Sequence, residues 1–394
     1  MSHYPYLIVG GSMTAAAAVQ GIREIDSSGP IGLIGAEPQA PYARPPLSKA
    51  LWKGEPLDQI WIDIDLPGVE HFFGRRAQAL DVGGKRVTDD QGTVYTFEKL
   101  LLATGGTPRR FPWGGDQIIY YRTLGDYKRL RALTEQGQRF AIIGGGFIGS
   151  EIAAALAMNH KDVVMLFPEA AIGERIFGRD LSQFLNDYYQ QKGVELLTGE
   201  LTTGLEQHGD QLALTTKQGR TVLVDGVVAG LGIEPNTELA QAAGLKVDNG
   251  IVVDELLRTS QPDIYAAGDV ANFYNPALGK RLRVEHEDNA NTMGKQAGRI
   301  MAGQSEPYTH LPFFYSDLFD LGYEAVGELD ARLEMVVDWK EPFREGVVYY
   351  LHDQRVRGVL LWNVWEQVDA ARQLIAATEP VQPDDLIGRL PAKD

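Results

Sequence analysis

The sequence predicts an α/β fold: two strand–turn–helix units on parallel sheets, followed by an α+β region with an antiparallel sheet. Three observations predict it. Glycine-rich turns stand at two places, GGSMTA at 10–15 and GGGFIG at 144–149, each after a short apolar run and before an Ala-rich helical pattern. Beyond Leu311 the pattern changes to aromatic-rich alternation (FFYSDLFDLGY, LEMVVDW, GVVYYLHD, RVRGVLLWNVW), with turn residues between the runs. At 394 residues the chain also exceeds one typical domain.

The first unit runs from an apolar strand at 6–9 through its turn into a helix over 14–24 and a second strand over 31–34, ending at Glu37. Glycines let the chain leave a strand sharply and bring backbone against a pyrophosphate, whose charge a helix N-terminus favours. A carboxylate at the end of the second strand accepts hydrogen bonds from adenosine ribose hydroxyls, and Glu37 stands there. Ser12 and Ala15 replace the second and third glycines of the pattern, so this turn alone reads equally as an ordinary βα loop. Residues 94–104 read as a buried strand before a sharp turn at Gly105 and Gly106.

After a Pro/Gly-rich connector at 107–116 and Arg122, a helix over 125–136 leads into the second unit, with strands at 140–143 and 163–167. Its turn keeps all three glycines. Glu169 follows where a carboxylate selects a free 2′-hydroxyl, which favours NADH over NADPH; Arg175, six residues on, could soften that preference by pairing with a phosphate. Two dinucleotide turns imply two dinucleotides and an electron-transfer flavoprotein. Alternation at Leu212, Leu214, Val222 and Val224 marks a β-rich stretch, and a strand at 226–229 leads to a turn where Gly232 brings backbone toward the nicotinamide. A strand from Ile264 ends in Gly268 and Asp269; Asp269 either accepts from hydroxyls at a flavin or caps a following helix. A last helix is expected over 367–378, with Pro380, Pro383 and Pro391 in the tail. The expected domains are 1–118 with 248–312, 119–247, and 313–394.

Composition narrows the chemistry. A formal net charge of -16 repels a phosphate backbone, so no nucleic-acid partner is expected. There is no cysteine in the sequence, which removes dithiol redox pairs, thiolate nucleophiles and iron–sulfur ligation, so electrons must travel through cofactors. The seven histidines form no spaced metal motif, and no metal is expected. The most apolar stretch, 141–158, is broken by glycines and Glu151 and reads as strand–turn–helix, not as a membrane span. The N-terminus enters the first strand without a basic segment and apolar core, so a cytoplasmic protein is expected.

Five segments together carry a resemblance: the first turn, RPPLSK at 44–49, ATGGTPR at 103–109, GGGFIGSE at 144–151 and AAGD at 266–269. They resemble the two-dinucleotide flavin reductases related to glutathione and ferredoxin reductases. More narrowly, RPPLSKALW at 44–52, RVEHEDNA at 283–290, YSDLFDLGYEAVGELD at 315–330 and GVVYYLHDQRVRGVLLWN at 346–363 resemble the apoptosis-inducing factor branch of that family. The likeness implies two Rossmann-like dinucleotide-binding domains, for FAD and NAD, and a C-terminal α+β domain. It implies hydride transfer from NADH to flavin N5. FAD would be held by Gly10, Gly11, Ser12, Met13, Thr14, Glu37, Arg44, Lys49, Ala77, Arg122, Asp269, His286 and Tyr315. NADH would be held by Gly145, Gly146, Phe147, Ile148, Glu169, Arg175, Gly232, Glu285, His286, Glu324 and Asn363. Lys49, Glu151 and His286 form the implied catalytic set: Lys49 as a cation favouring the anionic reduced flavin, Glu151 as its anchor, and His286 as a proton donor near neutral pH.

Departures from the family matter too. Tyr315 stands where its animal members carry a tryptophan, and Asp338 to Pro342 bridges directly to Gly346 without their long insertion. The basic surface is missing as well, which counts against cell-death and DNA-binding roles. The onward electron acceptor is not identified. Three readings follow: an NADH oxidoreductase of the apoptosis-inducing factor type, with a long-lived charge-transfer complex; an NADH-dependent reductase of ferredoxin or rubredoxin; or an NADH-sensing protein that forms a homodimer on reduction. The second conflicts with the acidity of the chain unless basic residues such as Lys280, Arg281 and Arg283 cluster locally.

Overall fold

The computed structural model describes residues 2–390; Pro391 lies outside them. Two compact units divide the chain. One comprises the described residues of Met1–Ala43, Asp58–Thr107 and Glu234–Pro312, the other those of Arg44–Leu57, Pro108–Ile233 and Phe313–Asp394.

In the first unit the apolar run forms strand Ser2–Val9, which pairs in parallel with Ile31–Gly35 on one side and Val94–Leu102 on the other. Val69–Phe73 extends one edge, and Ile264–Ala266 joins beside Leu100 to Leu102. Leu7, Ile8, Ile31, Leu33, Leu100 and Leu101 are completely buried, as expected of parallel strands covered on both faces. The antiparallel hairpin of Ala77–Asp81 and Arg86–Asp89 continues the sheet. Helix Met13–Ile25 packs against Glu287–Met301, whose buried face, Ala290, Met293, Gly294, Ala297, Ile300 and Met301, recurs at helical spacing in an otherwise polar sequence. Glycines bring the two backbones together: a Cβ on Gly294 or Gly298 would collide with the carbonyl oxygen of Thr14 or Ala18, and one on Gly21 with that of Lys295.

The second unit has three layers of sheet. Five parallel strands lie in the order Val194–Thr198, Asp162–Phe167, Arg139–Ile143, Gly226–Ala229 and Ile118–Tyr120. Helix Leu124–Gln136 enters this sheet through a capping box, in which Thr123 accepts from the Asp126 amide and the Asp126 carboxylate accepts from the Thr123 amide. The alternating residues at 212–224 sit in the antiparallel sheet of Thr202–His208, Gln211–Thr216 and Thr221–Val224. Five antiparallel strands follow, ordered Phe313–Leu318, Leu321–Gly327, Arg355–Trp362, Glu345–His352 and Glu334–Glu341, against which helix Val368–Ala376 packs. No helix among the described residues is long and apolar enough to cross a membrane.

One alternative falls here. Gly268–Val270 is a single 3-10 turn followed at once by strand Ala271–Asn275, so Asp269 has no helix to cap.

Candidate functional site

In the first unit the turn after Ser2–Val9 is shaped by bare backbone. Gly10 has φ +146° and a Cβ there would collide with the Ala103 carbonyl; a Cβ on Gly11 would lie 2.9 Å from the Cα of Gly35. Ser12, extended at φ -126°, precedes helix Met13–Ile25. Glu37, beyond strand Ile31–Gly35, accepts a 2.5 Å hydrogen bond from the Tyr42 hydroxyl. Gly268, at φ +76°, lies so near Thr14 that any side chain would strike its hydroxyl, which sets the Asp269 turn beside the first helix. Ala77 starts the antiparallel hairpin, and its register partner is Asp89. His286 precedes helix Glu287–Met301 in extended conformation, and Glu285 pairs with Arg283 at 2.7 Å.

In the second unit Gly144 (φ +114°) and Gly145 meet the Gly230 carbonyl and the Phe167 ring as closely as Gly10 and Gly11 meet their neighbours, and a Cβ on Gly149 would strike the Gly144 carbonyl. A Cβ on Gly146 meets nothing within 4 Å. Phe147 and Ile148, opening helix Phe147–Met158, are 37% and 36% exposed, large apolar surfaces at a helix N-terminus. Glu169, a quarter exposed, pairs at 2.6 Å with the outward-facing Arg175. Gly232 (φ +77°) has open space where a side chain would be, and its carbonyl accepts from the Arg109 amide.

The same unit holds a buried charged cluster. Lys49, between the 3-10 turns Pro45–Ser48 and Ala50–Trp52, meets Glu151 at 2.8 Å; the two side chains are 11% and 3% exposed. Glu151 Oε1 also accepts from the Ser316 hydroxyl at 2.7 Å, and Oε2 accepts from the Ser48 hydroxyl at 2.5 Å. The Lys49 ammonium stands 5.2 Å from the Tyr315 ring centroid, an attractive placement for a cation. Tyr315 pairs across its hairpin with Glu324, whose Oε2 is buried with no hydrogen-bond partner among the described residues. Burial pushes the Glu324 carboxyl above its usual range, opposed by the Glu366 amide and Arg372. Arg44 donates to the Arg122 carbonyl, so these two predicted residues also meet.

Several named residues also have structural partners. Asn363 donates to the Arg344 carbonyl and accepts from the Gly322 amide, clamping strand Leu321–Gly327. Arg281, exposed, donates to the carbonyls of Asn272 and Val253, and Arg283, only 9% exposed, to that of Asp269. Sequence reasoning passed over Ser48, Ser316 and Tyr42, and took Arg283 only as a possible docking cation. Ser48 and Ser316 adjoin Lys49 and Tyr315 inside motifs already singled out, and that adjacency was the available signal.

Both cradles fit dinucleotides on their own geometry: bare glycine backbone at a strand end, a helix starting there, and a carboxylate after the next strand. The orphaned Glu324 oxygen lacks a donor of the kind a carboxamide supplies.

Residues 4–294 match the family described as pyridine nucleotide-disulphide oxidoreductase, and residues 297–342 and 337–377 match the apoptosis-inducing factor, mitochondrion-associated, C-terminal family. Apoptosis-inducing factor 1, mitochondrial, of Dictyostelium discoideum is 32% identical over 97% of this chain and 80% of its own length. The ferredoxin–NAD(+) reductase component of the anthranilate 1,2-dioxygenase system of Burkholderia cepacia is 34% identical over 98% and 97%. The reductase in the crystal structure of the covalent putidaredoxin reductase–putidaredoxin complex superposes with a TM-score of 0.91 at 30% identity, covering 98% of this chain and 96% of that one.

Proposed function

Because this chain belongs to the pyridine nucleotide-disulphide oxidoreductase family, with FAD and NAD as its cofactors, we propose that it works as an FAD-dependent NADH oxidoreductase whose reactive centre is built around Lys49 and Glu151. It is an FAD-dependent NAD(H) oxidoreductase without the cysteines that disulfide chemistry in this family requires, so the acceptor must meet the flavin directly. When bound, FAD takes two electrons from the nicotinamide at N5 and gives them up to an acceptor.

The observation that carries the reading is the enclosed Lys49–Glu151 pair. The Glu151 carboxylate that faces the Lys49 ammonium is immobilised by hydroxyls on both oxygens. Such a charge is preorganised, so it favours an electron-rich partner without rearrangement. We assign Lys49 that role toward the isoalloxazine, Glu151 the anchoring of its ammonium, and His286 the proton. Glu37 and Asp269 hold FAD hydroxyls, Glu169 selects the 2′-hydroxyl of NADH, and Glu285 and Glu324 orient the carboxamide. In this reading residues 1–118 with 248–312 carry FAD, 119–247 carry NADH, and 313–394 supply Tyr315 and Glu324.

Anaerobic titration of the purified protein with NADH tests the proposal. The flavin absorbance should bleach with one equivalent, and Lys49→Ala should slow bleaching far more than it weakens NADH binding. Flavin-free protein, or flavin that NADH leaves coloured, overturns it.

Coverage favours one acceptor class. The chain spans 97% of the Burkholderia reductase component but 80% of the Dictyostelium protein, so a ferredoxin-like carrier is the acceptor we propose. NADH-dependent reduction of a ferredoxin much faster than that of oxygen or quinones supports this; equal rates overturn it.

A further inference from the structure

We propose that Arg283 is a positioning residue that sets both cofactor-facing segments of the first unit from one guanidinium. Its Nη1 donates to the Asp269 carbonyl at 3.1 Å and meets Glu285 Oε1 at 2.7 Å, while Nε points to Asn249 Oδ1 at 3.4 Å. The side chain is only 9% exposed, which separates it from the solvated surface pairs elsewhere on the chain. Arginine suits the task because its planar fork offers several donors in fixed directions, enough for a carbonyl and a carboxylate together.

The surroundings are built to admit it. Gly250 stands at φ +122°, and a Cβ there would come 2.9 Å from Arg283 Cδ and 2.6 Å from the Val270 carbonyl oxygen. Only a glycine leaves that channel open, and Asn249 beside it also adopts a left-handed conformation at φ +45°. Strand Lys280–Leu282 pairs with Ala271–Asn275, so backbone pairing brings Arg283 back to the turn it grips. The Gly268–Val270 turn is thus held from the Thr14 side by contact and from the other by a charged donor.

Two consequences follow. Holding the Asp269 carbonyl fixes the peptide from which the Asp269 carboxylate projects, and holding Glu285 fixes a carboxylate that would otherwise swing on a flexible side chain. One residue thereby couples flavin retention to nicotinamide orientation. This rests on the reading of Asp269 as an FAD residue and Glu285 as an NADH residue.

Arg283→Gln tests it, since glutamine still fills the stem of the channel beside Gly250 with a neutral amide, where Arg283 has its Nε, but loses the charge that holds Glu285. The expected result is a KM for NADH raised about tenfold, kcat within about twofold, and a flavin-to-protein absorbance ratio near that of the parent. Arg283→Ala should lose flavin as well, and Arg283→Lys should recover most of the KM. In a Glu285→Gln background, Arg283→Gln should raise KM no further, because the group through which it acts is already changed. An unchanged KM in Arg283→Gln, or additive KM effects in the double variant, overturns the proposal, even where the parent's flavin is bleached normally by NADH. Parent protein with no NADH-reducible flavin overturns the functional reading first, so the two failures are distinct. If Arg283→Ala does not fold, the glutamine and lysine variants decide the matter.

Discussion

The two glycine turns use their glycines for different reasons. At the first two positions of each, Gly10 and Gly11 or Gly144 and Gly145, the protein's own backbone and rings leave no room for a side chain. At the third they part: Ser12 stands in one turn, while in the other Gly146 faces open space. Nothing in the fold requires a glycine at 146, which leaves that space open for the dinucleotide we propose to bind there. At the last position the order reverses, because Gly149 would strike the Gly144 carbonyl whereas Ala15 is accommodated and buried. Further along, Ala17 in the first helix corresponds to Glu151 in the second, one a buried methyl and the other holding the buried lysine. A glycine pattern therefore mixes structural demands with ligand demands, and only the local space separates them.

The strongest way to break this comparison is Gly10→Ala. It combines a φ that L-residues rarely adopt with a collision against the Ala103 carbonyl, and should cost roughly 2–5 kcal/mol in stability. Thermal unfolding should show a marked fall or no folded protein; a Tm like that of the parent would mean that the turn is plastic.

Comparable in size is Glu151→Ala, which makes the second helix resemble the first at that position. Removing one partner of a buried pair costs about 3–5 kcal/mol, and here it also leaves the Ser48 and Ser316 hydroxyls without their acceptor. Rapid-mixing absorbance should show flavin reduction slowed more than NADH binding is weakened. Equal losses would make the pair a structural strut only.

The sequence shows these units unevenly. Both cradles were legible because glycine spacing and flanking apolar runs are local signals, and the antiparallel sheet was legible from its alternation. Helix Glu287–Met301 was passed over: its buried stripe does recur at helical spacing, but it mixes Ala290, Gly294, Ala297 and Gly298, which let another helix backbone approach, with only Met293, Ile300 and Met301 as large apolar side chains. The Ser48 and Ser316 hydroxyls on Glu151 were hidden for another reason. Their sequence separations from it are 103 and 165 residues, and no periodicity reports a contact of that range.

A finer probe is Gly146→Ser, which imports the first turn's residue into the second. With φ -89° and no heavy atom within 4 Å of the new Cβ, stability should stay within about 0.5 kcal/mol of the parent. The KM for NADH should rise about tenfold or more as the side chain occupies the approach to the phosphates, with flavin content unchanged. A fall in Tm without a change in KM would reverse the assignment of Gly146 from ligand to fold.

The smallest effect tests the two ribose acids. Glu37 accepts from the Tyr42 hydroxyl, whereas Glu169 is paired with the cation of Arg175, which partly compensates its charge. Repulsion of a 2′-phosphate should therefore be weaker at Glu169 than its position alone suggests. Because the Arg175 side chain is 83% exposed, solvent screens the pair, and its removal shifts the balance by no more than about 1 kcal/mol. Arg175→Ala should raise the preference for NADH over NADPH by roughly threefold to fivefold in kcat/KM, by losing both the compensation and a phosphate partner. The gain should shrink as ionic strength rises, and a preference that falls instead would place Arg175 on the NADH-binding side of the balance.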